Sequence, residues 1–187
     1  MALPPSSRDW ITGVASEGVV TIGDPRLKAP TLEATSADQV KPLLDAMVSR
    51  LRSLNGAGLA APQIGAATKA IVVEVRRTDV FPDRPEHPLV QMVNPMIVDH
   101  SAGQVTDWEG CFSVPGIMGP VPRFESITVT YLNEAHTPVT QTFTGYVARV
   151  VQHEIDHLSG VEFVDRMADL SRLTTVANYL AHHRINH

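Results

Sequence analysis

Val147–Leu158 reads VARVVQHEIDHL, and Gly160 follows two positions on. Val147, Val150, Val151, Ile155 and Leu158 recur at the spacing of one helical face. Gly160 is a stop signal for such a helix. The other, polar side of the predicted helix carries His153, Glu154 and His157. Residues four apart on a helix lie one above the other. Two imidazoles so placed can bind one metal ion, and the glutamate beside the first can reach a water on that ion. The alternative is a helix with solvated polar residues, and with eight histidines in the chain chance pairing is less rare than usual.

Upstream, the period changes from helix to strand. Ser126–Leu132 alternates, with Ile127, Val129 and Tyr131 on one face, and Val139–Thr144 alternates too. The short link Asn133–Thr137 predicts that these two form a hairpin. Lys69–Val75 (KAIVVEV) is a β-branched run and reads as a strand. Pro82, Pro85 and Pro88 then break the chain into a loop. Leu89–Val98 reads as another strand, interrupted near Pro95.

A helix is expected from near Ser36, where Ser36-Ala37-Asp38-Gln39 has the form of a capping box. Leu43, Leu44, Met47, Val48 and Leu51 follow at helical spacing, and Asn55-Gly56 ends the run. Pro42 is an alternative marker of the first turn. A last helix is expected over about Asp169–His183, and Met1–Pro30 reads as a loop-rich lead-in. Antiparallel strands with helices near the two ends make an α+β pattern rather than a repeating βαβ one.

The chain has 187 residues, a length that fits one domain able to bury a core without disulfides. Its 43% hydrophobic and 19% charged residues are a globular balance, not a disordered one. A net charge of −5 and a pI near 5.9 argue against phosphate-driven nucleic-acid binding. No segment has the roughly 20 apolar residues needed to span a bilayer, and the N-terminus lacks the basic start and apolar run of a secretory signal. A cytoplasmic location is the expectation.

Catalytic zinc-type sites take three protein ligands and keep one position for water. The third ligand here is Cys111 or a carboxylate. Cys111 is the single cysteine, so no intrachain disulfide forms. Alone it reads as a buried core residue; beside the histidine pair, ligand is the better reading. It sits in Trp108–Gly116 (WEGCFSVPG), where Gly and Pro suggest a tight loop or edge. The other histidines form no such pattern: His182, His183 and His187 read as an exposed tail, and His87, His100 and His136 fall in expected loops.

Three stretches together resemble the peptide deformylase family. Gly56–Gln63 (GAGLAAPQ) is similar to its GxGLAAPQ motif, Glu109–Ser113 (EGCFS) to its EGCLS motif, and Gln152–His157 (QHEIDH) to its QHExDH motif. They occur in the family's order, and weaker similarity runs from Gly23-Asp24-Pro25 through Val164–Met167. The resemblance implies an α+β fold of mainly antiparallel sheets around a central helix carrying the third motif. It implies a catalytic domain over residues 23–187, with 1–22 an extension outside the family's usual core.

It implies Cys111, His153 and His157 as ligands of one divalent metal ion. Fe2+ is expected in the cell, with Zn2+, Ni2+ or Co2+ able to substitute; the donor set alone does not choose among them. The implied reaction removes the N-formyl group from the N-terminal formyl-methionine of nascent proteins, releasing formate. The implied partners are those nascent peptides at the ribosome, without direct nucleic-acid binding and without a membrane.

Glu154 is expected to be the general base, which passes its proton on to the leaving amine. Gln63 and the backbone N–H of Phe112 are expected to meet the charge on the formyl oxygen. Gly58, Phe112 and Val150 are expected to contact substrate, Gly58 by letting its backbone approach closely. Glu109 and Arg123 are expected to support the ligands as a pair, with an ordinary surface ion pair the equal alternative. Asp156 is either a further support or solvated. Phe112 stands where the family usually has Leu, so the wall of the methionine pocket is expected to differ. Rival readings are a zinc peptidase, which leaves Cys111 and the Gly56–Gln63 loop unexplained, and a binding-only relative, which the intact site residues disfavour. A structural metal site is disfavoured by the free glutamate beside the ligands.

Overall fold

The computed structural model describes residues 11–78 and 81–183 of the chain. Its helices are α1 (Ala37–Ser53), α2 (Gly145–Leu158), α3 (Phe163–Arg166) and α4 (Val176–Asn178). Its strands are β1 (Gly58–Ala60), β2 (Ala70–Val75), β3 (His87–His100), β4 (Gln104–Cys111), β5 (Val114–Phe124), β6 (Ser126–Leu132), β7 (Pro138–Thr144) and β8 (Thr174–Thr175). The first sheet runs β1-β2-β3-β6-β7 and the second β4-β5-β8, with every pairing antiparallel. This is an α+β architecture. Among the described residues no helix is long and apolar enough to cross a membrane.

The elements form for local reasons. Ser36 Oγ accepts from Gln39 N at 3.4 Å and starts α1, while the Gln39 side chain turns to Thr35 instead of completing the box. Pro42 lies inside α1, whose buried Val40, Leu44, Met47 and Leu51 pack under β1 and β2. Full burial of one such Leu or Met stabilises the fold by about 1.5–3 kcal/mol. In β6 buried Ile127, Val129 and Tyr131 alternate with half-exposed neighbours. The β6–β7 hairpin is closed by Asn133, whose Oδ1 accepts from the backbone of Ala135 and Thr137. Gly145, at φ +57°, turns the chain from β7 into α2.

Two expectations are corrected, and one alternative is decided. Pro95 does not interrupt the third strand, which runs unbroken over His87–His100. Asn94 adopts φ +50° and clasps both backbone groups of Ala34, so the irregularity becomes a bulge between Val93 and Met96. The stretch around Cys111, read as a tight loop or edge, is the end of β4 and the start of β5 with a turn at 112–113 between them. The single helix expected over Asp169–His183 is a 3-10 turn at Leu170–Arg172, then β8, α4 and a π turn. Val176 is its one buried residue there while Leu170 and Leu173 stay exposed, so no apolar stripe exists to dock a helix. His187, read with His182 and His183 as an exposed tail, lies outside the described residues.

Helix α2 contacts β1, β2 and β7 of the five-stranded sheet and β5 of the other. Val147, Val151 and Leu158 join the core beneath the five-stranded sheet. The polar side is not solvated either: Arg149, Gln152, His153, Glu154, Asp156 and His157 are all buried. Gln152 is tied to β5, its Oε1 accepting from Phe124 N and its Nε2 donating to Phe124 O. Burying so many polar groups on one helix is costly, and each one left without a partner calls for a reason.

Candidate metal centre and active site

Helix α2 and the β4–β5 turn bring three donors together. Cys111 Sγ lies 3.3 Å from His157 Nε2, which lies 3.2 Å from His153 Nε2. All three donor atoms fall within 4.8 Å of one another and are buried. Tetrahedral bonds of about 2.0–2.1 Å to nitrogen and about 2.3 Å to sulfur would hold such atoms about 3.4–3.6 Å apart. The set therefore fits a single metal ion.

The charges fit as well. Burial pushes the Cys111 thiol up, but the neighbouring His157 and His153 outweigh it and draw the thiol down to about 6. Burial pulls His157 down, and the Cys111 thiolate outweighs that, raising it to about 10. His153 is raised well above its usual value, because the bonds from Cys111 and Glu109 overcome its burial. Protons crowd this cluster, and a divalent ion would replace them.

A network of ion pairs holds the donors. His153 Nδ1 meets Glu109 Oε2 at 2.9 Å. Glu109 also takes Arg123 through two bonds, at 2.9 and 3.0 Å, and Arg149 at 2.8 Å. These bonds hold the buried Glu109 carboxyl far below its ordinary range despite its desolvation. Arg123 reaches on to Asp156, which Arg166 binds through both carboxylate oxygens. Carboxylates behind ligating histidines fix their tautomer and orientation. Arg149 had a readable signal, since it stands four positions before His153 on the ligand face. Arg166 and Ser113 had none.

The remaining predicted residues converge on the same point. Gln63 is buried, with Oε1 accepting from Ala60 N at 2.8 Å. That bond turns Nε2 toward Cys111 Sγ and Ser113 Oγ, 3.3 Å from each. Behind it, the lead-in braces the loop: Val20 N donates to Gln63 O and Ile22 N to Ser113 O. Glu154 is 4% exposed, and burial raises its carboxyl to about 7 against the pull of both histidines. Its Oε2 has no hydrogen-bond partner among the described residues. A cavity of ≈ 210 Å³ opens onto Gln63, Cys111, His153 and Glu154, with Phe112 and Val150 in its wall.

Two glycines shape this cavity. A Cβ on Gly58 would lie 2.7 Å from Glu154 Cγ and closer still to Oε1. Gly58 thus makes room for Glu154 itself, a role the sequence does not show. A Cβ on Gly56 would lie 2.8 Å from the Phe112 ring, so Gly56 accommodates the aromatic side chain at that position. Gly58→Ala is expected to displace the Glu154 carboxylate and lower kcat by about 10²-fold, with metal content unchanged in elemental analysis.

A family model for polypeptide deformylase matches residues 16–173. The chain belongs to the peptide deformylase family. It is a metal-dependent hydrolase, and the family's reaction is removal of the formyl group from N-formyl-methionine. Peptide deformylase 2 of Nostoc sp. is 39% identical over 160 residues, covering 84% of this chain and 88% of that protein. The enzyme of Carboxydothermus hydrogenoformans is 40% identical over 156 residues, covering 82% and 95%. A class I type b peptide deformylase from Acinetobacter baumannii, solved with Met-Ala-Ser bound, superposes with a TM-score of 0.77 at 38% identity. That match covers 80% of this chain and 96% of the other.

Proposed function

We propose that this chain removes the formyl group from the N-terminal formyl-methionine of nascent proteins, in the cytoplasm and at the ribosome, without binding nucleic acid directly. The observation that carries the catalytic reading is the buried Oε2 of Glu154, without a hydrogen-bond partner among the described residues, beside the Cys111–His153–His157 donor set. Cys111, His153 and His157 are assigned as ligands of one divalent ion, Fe2+ in the cell, with Zn2+, Ni2+ or Co2+ able to replace it. Bound there, the ion supplies Lewis acidity that acidifies water and polarises a carbonyl.

The protein's own groups do the rest. Glu154 takes a proton from the attacking water as the new C–O bond forms at the formyl carbon. It delivers a proton to the methionine nitrogen as the C–N bond breaks, leaving formate and a free amine. The Nε2–H of Gln63 and the backbone N–H of Phe112 stabilise the charge on the formyl oxygen. Gln63 is ready for this because Ala60 fixes its amide. Phe112 and Val150 contact the methionine side, and Gly58 the substrate backbone. Glu109 holds His153, and Arg123 holds Glu109. Residues 23–187 form the catalytic domain and 1–22 an extension, whose Val20 and Ile22 support Gln63 and Ser113.

The test is formate release from a short N-formyl-Met peptide by protein loaded anaerobically with ferrous iron. Release is expected, with no cleavage of the unformylated peptide. Folded, metal-loaded protein that releases no formate would leave only a binding role, and cleavage of the unformylated peptide would point to a peptidase.

A further inference from the structure

Glu162 follows α2 by four residues and is 1% exposed. Neither carboxylate oxygen has a hydrogen-bond partner of good geometry among the described residues. Its Oε2 lies 3.3 Å from His157 Nδ1, the ring nitrogen on the far side from the donor cluster. That nitrogen makes no other hydrogen bond among the described residues. His157 is also the one basic group within ion-pair distance of Glu162 there. Lys28, which reaches this turn, is spent on Gly160 O and Asp165.

The position itself does not explain the residue. Glu162 is the N-cap of α3, but its side chain makes no cap bond. The cap is made the other way, with Glu162 N donating to Asp165 Oδ2 at 2.8 Å. A carboxylate buried without a cation is costly, and an apolar residue of similar size would fold more easily. What offsets the cost must come through His157.

We infer that Glu162 is a positioning residue for the metal centre, its carboxylate holding the Nδ1–H of His157 and lending the ligand its charge. A histidine that ligates through Nε2 carries its proton on Nδ1, and that proton needs an acceptor. Glu109 is the acceptor for His153, but two arginines neutralise it. Glu162 has no arginine partner among the described residues, so its charge acts on His157 undiluted. The two histidines are therefore unequal ligands, with His157 the stronger electron donor.

The inference rests on reading Cys111, His153 and His157 as ligands, and the test separates the two. Cobalt(II)-loaded parent and Glu162→Gln proteins, both checked for folding by circular dichroism, are compared by visible absorption and by metal loss to a chelator. Gln keeps the size and an acceptor oxygen but removes the charge. The expected result is a shifted cobalt spectrum and retention weakened by about 10-fold or more, with Glu162→Leu weaker again, within the 10–100-fold range for lost ligand-supporting partners. A folded Glu162→Gln protein with the parent's spectrum and retention overturns the inference alone. A parent that takes up no cobalt overturns the ligand reading and this inference with it. Should Glu162→Leu fail to fold, the Gln variant still decides.

Discussion

Replacing Glu154 with Gln lowers kcat for a formyl-methionine peptide by about 10²–10⁴-fold, the range for losing a positioned acid–base group. The substitution is nearly isosteric, so the packing of the side chain against Gly58 is preserved. What is lost is the capacity to carry a proton. Burial raises the Glu154 carboxyl to about 7, which makes it both a competent base and a competent acid near neutral pH. Steady-state formate release at saturating peptide, with metal content measured on the same samples, checks the result. An intact kcat with a raised KM would instead make Glu154 a substrate-binding group.

Cys111→Ser strips the proposed metal centre of the one anionic donor in its Cys–His–His group. A serine hydroxyl fills much the same space, so β4 and β5 keep their register, but it stays neutral where the thiol ionises. In zinc-binding peptides an apparent binding energy of about 10–16 kcal/mol is shared among four ligands, roughly 3 kcal/mol or more for each. Metal retention is therefore expected to fall by about 10²-fold or more, and activity with it unless metal is in excess. The two histidines stay 3.2 Å apart with no thiolate to offset their charge. His157, raised chiefly by the Cys111 thiolate against the effect of burial, becomes easier to deprotonate. Chelator competition and thermal melting of the variant with and without added metal are the measurements.

Much of this site was legible because its signals are short-range. The HExxH spacing on α2 and the Gly160 stop lie within one helix and need no tertiary information. The β6–β7 hairpin was legible for the same reason. The β4–β5 pair was hidden by its own residues: Gly110, Pro115 and Gly116 suggest a tight loop or edge, and Gly119, Pro120 and Pro122 carry no strand signal. They are tolerated because β8 pairs only with Ile117 and Met118, so Pro120 and Pro122 lie where β5 has a single neighbour. The tail was misread because two leucines at helical spacing do not announce that they remain exposed. Glu162 and Arg166 were invisible because a charged residue near a helix end is ordinarily a surface residue; only the fold shows one of them buried against a ligand.

The donors are far apart along the chain, with His157 46 positions after Cys111. At about 5–20 residues per second, synthesis separates the emergence of the thiol from that of the second imidazole by roughly 2–10 s. During that interval Cys111 lacks both the burial it has in the fold and the histidines that draw its thiol down. A set of donors held by all three residues therefore cannot assemble until the end of α2 has emerged, so the site is completed late in synthesis although its sulfur is made early.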